Sequence, residues 1–302
     1  MRSDVLYGIA VADAIGNPLE FLSQVKKSDY QRSAASPLLR VSDDTQMSMF
    51  LYEALVNSDL SVIGHAPEVF RGAYLRWYQT QTYQAQQRSR GGLLDFDSLF
   101  RVEAPGRTCI SACRALLEDR DVHNDSKGNG TVMRCAPIAL VGHVLGWSLP
   151  SQVALARLDA LTTHKHPFAG DSSVFLVTLY HFILDGSSFE EALDHTCLEL
   201  GDLIHPHVMN LVLSLLDLKE YKAKMKVLGG WVAEEALAMA VGSVFHADSY
   251  EDAICRAICI GGDSDTVGGI AGGLAVAAGM PVPENLIRKL NVLDALEYLF
   301  KE

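Results

Sequence analysis

Two aspartates and a threonine precede a helix of small residues near the end of the chain, and oxygen ligands in this pattern suit a hard cation. The segment GGDSDTVGGIAGGLAVAAG begins at Gly261 and contains Asp263, Asp265 and Thr266. If the glycine turn is tight, Ser264 points away and the other three side chains converge on one point, as Mg²⁺ or Mn²⁺ requires. The alternative is a helix N-cap, for which Asp is favoured, although a cap needs only one acid.

A second acidic helix start lies at residues 41–45, VSDDT. Asp43 and Asp44 precede apolar residues with helical spacing, so this arrangement resembles that at 263–266. Adjacent carboxylates about 4 Å apart repel each other by about 4 kcal/mol at an effective dielectric constant of about 20. If the two segments meet in the fold, a pair of divalent cations would neutralise the four acids. The sequence alone does not show that they meet.

Glu20 follows the turn Gly16-Asn17-Pro18, which ends the first predicted helix and holds this carboxylate beside a rigid element. In isolation, a solvated loop acid is the simpler interpretation of Glu20.

A glycine-rich turn, GNGT at residues 128–131, is predicted to open an apolar helix. Free N–H groups at such a helix start suit a phosphate. The order GxxxxGKS/T is missing, so this is not a Walker A loop, and a simple turn is the alternative. His164 and His166 in THKHP leave three interpretations open: metal ligands, hydrogen-bonding loop residues or ligand contacts.

The remaining pattern predicts an all-α architecture, because apolar residues recur with helical spacing and no segment alternates as a strand does. Residues 22–40 are predicted to form an ordered loop, and Lys219–Lys226 a solvated connector. Residues 79–106 show no period and are interpreted as a lid, a partner-contact loop or a plain surface insertion. Besides the helices that follow the segments above, helices are expected at about 3–15, 66–78, 107–119, 151–162, 168–184, 189–200, 207–217, 231–245, 250–260 and 283–299.

Composition favours an ordinary globular protein: 49% of the 302 residues are hydrophobic and 21% are charged. At this length we expect one domain, residues 1–302. The net charge of −12, from 25 basic and 37 acidic residues, argues against a nucleic-acid partner, which requires a basic surface.

Six cysteines are too few for a disulfide scaffold in a chain of this length, and no CxxC zinc pattern occurs. Cys109/Cys113 and Cys255/Cys259 are each spaced i,i+4 and are predicted to be small core residues. The N-terminus lacks the continuous apolar region of a signal peptide, and no apolar run approaches membrane-spanning length. We therefore expect a cytoplasmic protein without membrane contact.

Six segments, taken together, resemble the ADP-ribosylglycohydrolase family, which includes the dinitrogenase-reductase-activating glycohydrolase and the ADP-ribosylarginine and ADP-ribosylserine hydrolases. They occur in the family's order along the whole chain. The segments are ADAIGNPLEF at 12–21, SDDT at 42–45, APGRTC at 104–109, GNGTVMRCAPIAL at 128–140, THKHP at 163–167 and GGDSDTVGGIAGGL at 261–274.

The resemblance implies a compact single-domain orthogonal helical bundle with two Mg²⁺ or Mn²⁺ ions, which hydrolyses the bond between ADP-ribose and a modified protein side chain, with arginine the expected acceptor. Glu20 matches a glutamate that lies at the metal site and moves with substrate binding. The implied metal ligands are Ser42, Asp43, Asp44, Asp263, Asp265 and Thr266. The implied contacts to the diphosphate and ribose are Gly128, Asn129, Gly130, Thr131, Met133 and His166.

Two positions depart from the family pattern. Ala12-Asp13 replaces the usual Gly-Asp, a change of one methyl group. At Ala104–Cys109, APGRTC replaces the Asp-Ile-Gly-Asn-Thr-Thr of some members, so an aspartate proposed to act in catalysis there is missing. Other bacterial members resemble the APG version, and the general base stays open among Glu20, Asp43 and Asp44.

The departures keep two other functions open. One is a family member without full activity that acts as a binding or regulatory protein, for example by neutralising an ADP-ribosyltransferase toxin through residues 22–40 or 79–106. The other is a metal-dependent hydrolase of a free nucleotide or of a small ADP-ribose conjugate.

Overall fold

Helices dominate the computed structural model, which describes residues 2–60, 62–82 and 89–301. Within these ranges the backbone forms sixteen α-helices and, apart from two isolated bridges, no β-structure, which confirms the all-α prediction. The helices are α1 Arg2–Gly16, α2 Lys27–Ala34, α3 Asp43–Val56, α4 Ala66–Thr82, α5 Arg107–Leu117, α6 Ala136–Leu145, α7 Leu149–Thr163, α8 Pro167–Leu184, α9 Phe189–Leu200, α10 Pro206–Ser214, α11 Leu218–Lys224, α12 Ala233–Phe245, α13 Tyr250–Ile258, α14 Ser264–Ala277, α15 Glu284–Ile287 and α16 Leu293–Leu299.

Helices α1 and α14 pack against each other along most of their length, antiparallel and backbone to backbone. A Cβ atom added to Gly8 would lie 2.7 Å from the Gly272 carbonyl oxygen, and one added to Gly16 would lie 2.6 Å from the Cα of Asp265. Only glycine allows this approach. Since α14 is buried from end to end, its small residues set the C-terminus of α1 beside the acidic N-terminus of α14.

The N-terminus of α3 is held by the last turns of α1. Asp13 accepts hydrogen bonds from the Ser42 amide at 3.0 Å, from the Thr45 amide at 3.2 Å and from the Thr45 hydroxyl. Three helix termini, those of α1, α3 and α14, therefore meet in one place, and the acidic segments at 43–44 and 263–265 are brought together there.

Two short helices occupy segments that were predicted to lack them. Helix α2 lies within the predicted loop at 22–40 and buries Tyr30. Helix α11 covers most of the predicted connector Lys219–Lys226; Asp217, just before it, caps its first turn, and Tyr221 is buried. In each case, one aromatic side chain buried against the core stabilises a helix whose other residues are mostly polar.

The helix predicted to open at residues 128–131 begins later, at Ala136. The Asn129 amide donates to the Trp231 carbonyl at 3.3 Å, so the chain follows another segment before it turns into α6. Pro137 then lies in the first helical turn, where its missing N–H costs nothing.

The aperiodic segment 79–106 is more ordered than predicted. Helix α4 continues to Thr82, and 3₁₀ turns cover Gly92–Asp95 and Asp97–Leu99. Residues 83–88 lie outside the described ranges, so the predicted lid or partner-contact loop is described only in part.

Helix α8, Pro167–Leu184, corrects the expectation that no segment approaches membrane-spanning length. Its 18 residues are long and apolar enough to cross a membrane by length and composition, and 72% of them are buried inside the protein. The described residues contain no second helix that meets these criteria.

Candidate functional site

A cavity of about 580 Å³ opens where the termini of α1, α3 and α14 meet. Both acidic segments face it, together with the turn before α6, the end of α7 and the start of α5. The lining residues are Glu20, Phe21, Asp43, Asp44, Ala104, Pro105, Gly106, Arg107, Thr108, Cys109, Gly128, Asn129, Gly130, Met133, His164, Trp231, Asp263, Asp265 and Thr266.

Carboxylates converge at the floor of this cavity. Glu20, Asp263 and Asp265 each offer an oxygen, and these three atoms lie within 4.8 Å of one another. Asp43 and Asp44 join them from the first turn of α3, and both are almost fully buried. The sequence left open whether the two acidic helix starts meet, and the fold places them on one cavity.

Neighbouring groups fix the orientation of two of these acids. The Gly106 amide donates to Asp43 Oδ2 at 3.1 Å, and the Asn129 side-chain amide donates to Asp263 Oδ2 at 2.8 Å. Gly106 belongs to the segment APGRTC, and Asn129 to GNGT. Both segments thus position acids as well as lining the cavity.

Two serines near the acids do not line the cavity. Ser264 donates its hydroxyl to the Gly16 carbonyl at 3.2 Å, as the tight-turn argument predicted. Ser42, predicted as a metal ligand, accepts from the Asp44 amide at 3.2 Å as the N-cap of α3, and it does not line the cavity. The structure therefore gives Ser42 the role of holding Asp44 in place.

Burial raises the pKa of these acids, and their mutual repulsion adds to the effect. The pKa of Asp43, Asp44 and Asp265 is raised well above the usual range, chiefly by loss of solvent. Burial likewise raises the pKa of Glu20 to about 8. In the part of the chain that the structure describes, no lysine or arginine forms a salt bridge with these four carboxyls.

The acids have the chemistry of a site for hard cations. Asp44 Oδ2 is buried and has no hydrogen-bond partner in the described structure, which is costly unless a ligand compensates it. The other atoms that could bind a cation are carboxylate oxygens and the hydroxyl oxygen of Thr266, which also lines the cavity. Oxygen donors with this much negative charge fit Mg²⁺ or Mn²⁺.

Of the residues predicted to bind the diphosphate and ribose, four line the cavity: Gly128, Asn129, Gly130 and Met133. Thr131 does not, because it is buried and donates its hydroxyl to the Ala169 carbonyl at 2.9 Å.

The structure places His164, and not His166, at the cavity. His166 caps α8 by accepting from the Phe168 amide at 3.1 Å, and its ring packs against the Phe168 ring. The two histidines lie on either side of Lys165 in an extended stretch, where alternate side chains point in opposite directions. The THKHP motif alone did not show which side faces the cavity.

Its surroundings keep the His164 ring neutral and fix its orientation. Burial lowers its pKa to about 3. The Thr163 hydroxyl accepts from Arg134 at 2.9 Å and lies 2.8 Å from His164 Nδ1. Since the hydroxyl proton is then free to bond Nδ1, we assign the ring proton to Nε2, which makes His164 a hydrogen-bond donor toward the cavity.

A buried cation supports this wall of the cavity, and sequence reasoning missed it. Arg134 has no exposed surface; it donates to the Gly130 carbonyl at 2.7 Å and lies 3.4 Å from Asp159. Its guanidinium also stacks on the Tyr74 ring, 4.1 Å from the centroid. An arginine and an aspartate, each among apolar residues of the sequence, were the available signal.

An aromatic pair marks the rim of the cavity and was also missed. The rings of Phe21 and Trp231 stack 5.2 Å apart at 22°. Phe21 is 71% exposed and has a φ of 67°, a left-handed conformation that is unusual for a bulky residue. Ala104 also lines the cavity, where it contributes only a methyl group at a position that likewise has positive φ.

Comparison with known proteins points to one family. The model of the ADP-ribosylglycohydrolase family matches residues 3–301. An ADP-ribosylarginine hydrolase of Serratia proteamaculans is 27% identical over 314 residues, covering 98% of this chain and 77% of the relative. An ADP-ribosyl-(dinitrogen reductase) glycohydrolase of Rhodospirillum rubrum is 23% identical over 298 residues, covering 94% and 88%. A solved structure described as an ADP-ribosylglycohydrolase-related protein complex has a TM-score of 0.69 at 25% identity, covering 99% of this chain and 94% of that one.

Proposed function

The chain belongs to the ADP-ribosylglycohydrolase family, and from this premise we propose that it is a metal-dependent hydrolase that removes ADP-ribose from a modified arginine side chain of a protein. The observation that carries the proposal is the meeting of five carboxyls, Glu20, Asp43, Asp44, Asp263 and Asp265, on one cavity. The choice of arginine rests on the activity named for the Serratia relative. The products are ADP-ribose and the unmodified protein.

Two divalent cations, Mg²⁺ or Mn²⁺, would be held by four aspartates and one threonine: Asp43, Asp44, Asp263, Asp265 and Thr266. Such ions, when bound, supply charge neutralisation, hold ribose hydroxyls and lower the pKa of a nearby water. The unpartnered Asp44 Oδ2 is the atom that most needs them.

The protein's own groups orient the substrate. His164 Nε2–H can donate to a diphosphate oxygen, and the turn at 128–130 lets the substrate approach the backbone closely. Gly130 is fitted tightly here, since an added Cβ would lie 2.8 Å from the Cys109 sulfur and 3.1 Å from His164 Cε1. The diphosphate end of the substrate is thereby directed to one wall of the cavity.

Glu20 is the carboxyl that we assign to accept the proton of the attacking water. Asp43 is held by the Gly106 amide, whereas no direct hydrogen bond to the Glu20 side chain is found among the described residues. Glu20 is also only half-buried, so it has room to adjust. As the glycosidic bond breaks, positive charge develops on the ribose, and the surrounding carboxylates stabilise it.

Release of ADP-ribose from arginine-linked and serine-linked substrate proteins, with Mn²⁺, Mg²⁺ or EDTA, tests the proposal. We expect metal-dependent release from the arginine-linked substrate. Asp265→Asn should lower the rate by on the order of 100-fold, because it removes a proposed metal ligand. Asp202→Asn, at an exposed position in the turn that follows α9, is the matched control. Release that is independent of metal, or an unchanged rate for Asp265→Asn, would refute the proposal.

A second function is favoured by one observation: Ala104 presents a methyl group to the cavity where some family members carry an acid. In that case the protein would bind ADP-ribosylated partners, or an ADP-ribosyltransferase itself, without turnover. Calorimetric binding of ADP-ribose with Mn²⁺, together with no product from any linkage, would support this binding role.

A further inference from the structure

The two cysteines in the last turn of α13 face each other at the surface. Their sulfur atoms are 3.7 Å apart, as their i,i+4 spacing on a helix allows. Cys255 and Cys259 are both partly exposed, whereas Cys109 and Cys113 are buried. The prediction that both pairs are core residues is therefore wrong for Cys255 and Cys259, and right for the other pair.

We propose that Cys255 and Cys259 form a modification site, a dithiol that a small-molecule disulfide of the glutathione type converts reversibly to an intramolecular disulfide. Two thiols of the protein and one glutathione disulfide become one protein disulfide and two glutathione thiols. No other oxidant is needed. The site is independent of the function proposed above, because its chemistry and its readouts do not involve ADP-ribose.

The environment of the pair selects the attacking sulfur. A hydrogen bond from the Cys259 thiol lowers the pKa of the Cys255 thiol to about 7, and the nearby charge of Lys27 acts in the same direction. The same contact raises the pKa of Cys259. Cys255, after losing its proton, attacks the glutathione disulfide and releases one glutathione thiolate, which takes up a proton. Cys259 then loses its proton, attacks the mixed disulfide at the Cys255 sulfur and releases the second glutathione as a thiolate, which takes up that proton.

Formation of the disulfide requires the two sulfur atoms to move closer together, and the end of α13 is where the backbone can adjust. A disulfide S–S bond is about 2.05 Å long, so the two sulfurs must approach by about 1.7 Å. Cys259 caps the C-terminus of α13, and its amide donates to the Cys255 carbonyl at 3.0 Å. Closing the pair therefore distorts the final turn and spares the rest of α13.

This distortion would reach the acidic segment of the candidate site. Only Ile260 separates Cys259 from Gly261 and Gly262, whose φ angles are +82° and +77°. The Gly262 amide donates to the Leu22 carbonyl at 2.9 Å, and the next amide, that of Asp263, donates to the Gly229 carbonyl at 2.9 Å. A shift of the helix end would strain these two hydrogen bonds, so we expect residues 260–263 to exchange amide hydrogens faster in the oxidised protein.

Mass spectrometry of the full-length protein in glutathione redox buffers tests the dithiol. Trypsin cleaves after Arg256, between the two cysteines, so the disulfide appears as two joined peptides that separate on reduction. We expect this joined species in the wild type and in Cys197→Ser, a control at another partly exposed cysteine. Cys259→Ser should stop at a glutathione adduct on Cys255. A stable glutathione adduct in the wild type, or no reaction at Cys255, would overturn the proposal.

Hydrogen exchange followed by mass spectrometry tests the transmitted movement. We compare reduced and oxidised wild type at residues 260–263, with α9 as the internal reference. Faster exchange confined to the segment that follows α13 supports transmission through the double glycine. Identical exchange in the two states would overturn that part, even where the disulfide forms.

Discussion

The Asp13 carboxylate accepts hydrogen bonds from the Ser42 amide with both of its oxygens, each at 3.0 Å. Together with the amide and hydroxyl of Thr45, these bonds fix the first turn of α3, which carries Asp43 and Asp44. One buried acid at the end of α1 therefore determines where two cavity acids point.

Replacing Asp13 by Asn should weaken both the fold and the cavity, because an amide NH₂ would face donors that need an acceptor. We expect a loss of about 1–3 kcal/mol in the free energy of unfolding and a fall of about 10–100-fold in Mn²⁺ affinity. Urea denaturation and calorimetric titration measure the two quantities, with Asp202→Asn as the surface control. Unchanged Mn²⁺ affinity would show that Asp13 does not position the acids.

The metal-free protein should lose stability as the pH rises. The pKa of Asp13 is raised to about 6 and that of Glu20 to about 8, both chiefly by burial. A carboxyl whose pKa is higher in the folded state stabilises the fold below its unfolded pKa of about 4, and this contribution disappears as the pH passes through the folded value. We expect the melting temperature in EDTA to fall between about pH 4 and pH 8.

Two changes should flatten this pH profile: addition of Mn²⁺, and the substitution Glu20→Gln, which removes the carboxyl whose pKa is raised to about 8. The measurement is thermal unfolding followed by circular dichroism in matched buffers. A melting temperature in EDTA that rises steadily from pH 5 to pH 8 would contradict the assigned shifts.

Substitutions at His164 and at His166 should have different effects on ligand affinity. His164→Leu removes the donor that the neutral imidazole presents to the cavity, and we expect ADP-ribose affinity to fall by about 10–100-fold, as the loss of a hydrogen bond to a charged group predicts. His166→Gln, on the other side of the same stretch, should change affinity less than twofold. Calorimetric titration measures both, and the opposite ranking would restore the role that the sequence predicted for His166.

The packing of α1 on α14 predicts opposite effects for two glycine substitutions. Gly272→Ala places a methyl group against the Gly8 carbonyl, so it should destabilise the fold by about 1–3 kcal/mol, as overpacking does. Gly72→Ala, within α4, has open space around its added methyl group. It should stabilise the fold by about 0.5–1 kcal/mol through helix propensity. Chemical denaturation of both variants decides.

The all-α class and the two acidic helix starts could be predicted from sequence, because helical spacing and adjacent acids are local patterns. The sequence could not predict which side of the chain faces the cavity, because that depends on the tertiary fold. His164 and His166 are equivalent in the motif THKHP, and only the packing of α7 and α8 distinguishes them. Ser42 is an oxygen donor in the pattern but a helix cap in the structure.

The sequence also did not predict the contacts between distant residues that support the cavity. Arg134 lies in the turn before α6 and Asp159 lies in α7, so their pairing behind the cavity depends on how that turn packs against α7. Trp231 joins Phe21 only through a contact across 210 positions of sequence. Helix α2 was missed because seven of its eight residues are not buried, and the burial of Tyr30 depends on tertiary packing.

The pairing of α1 with α14 imposes an order on biosynthesis. Helix α1 leaves the ribosome before α14, and the glycine-rich surface that it packs against is made about 250 residues later, which at about 5–20 residues per second is a delay on the order of ten to fifty seconds. During that time its apolar side has no native counterpart. Nascent chains halted before α14 should therefore be the form most readily captured by chaperones.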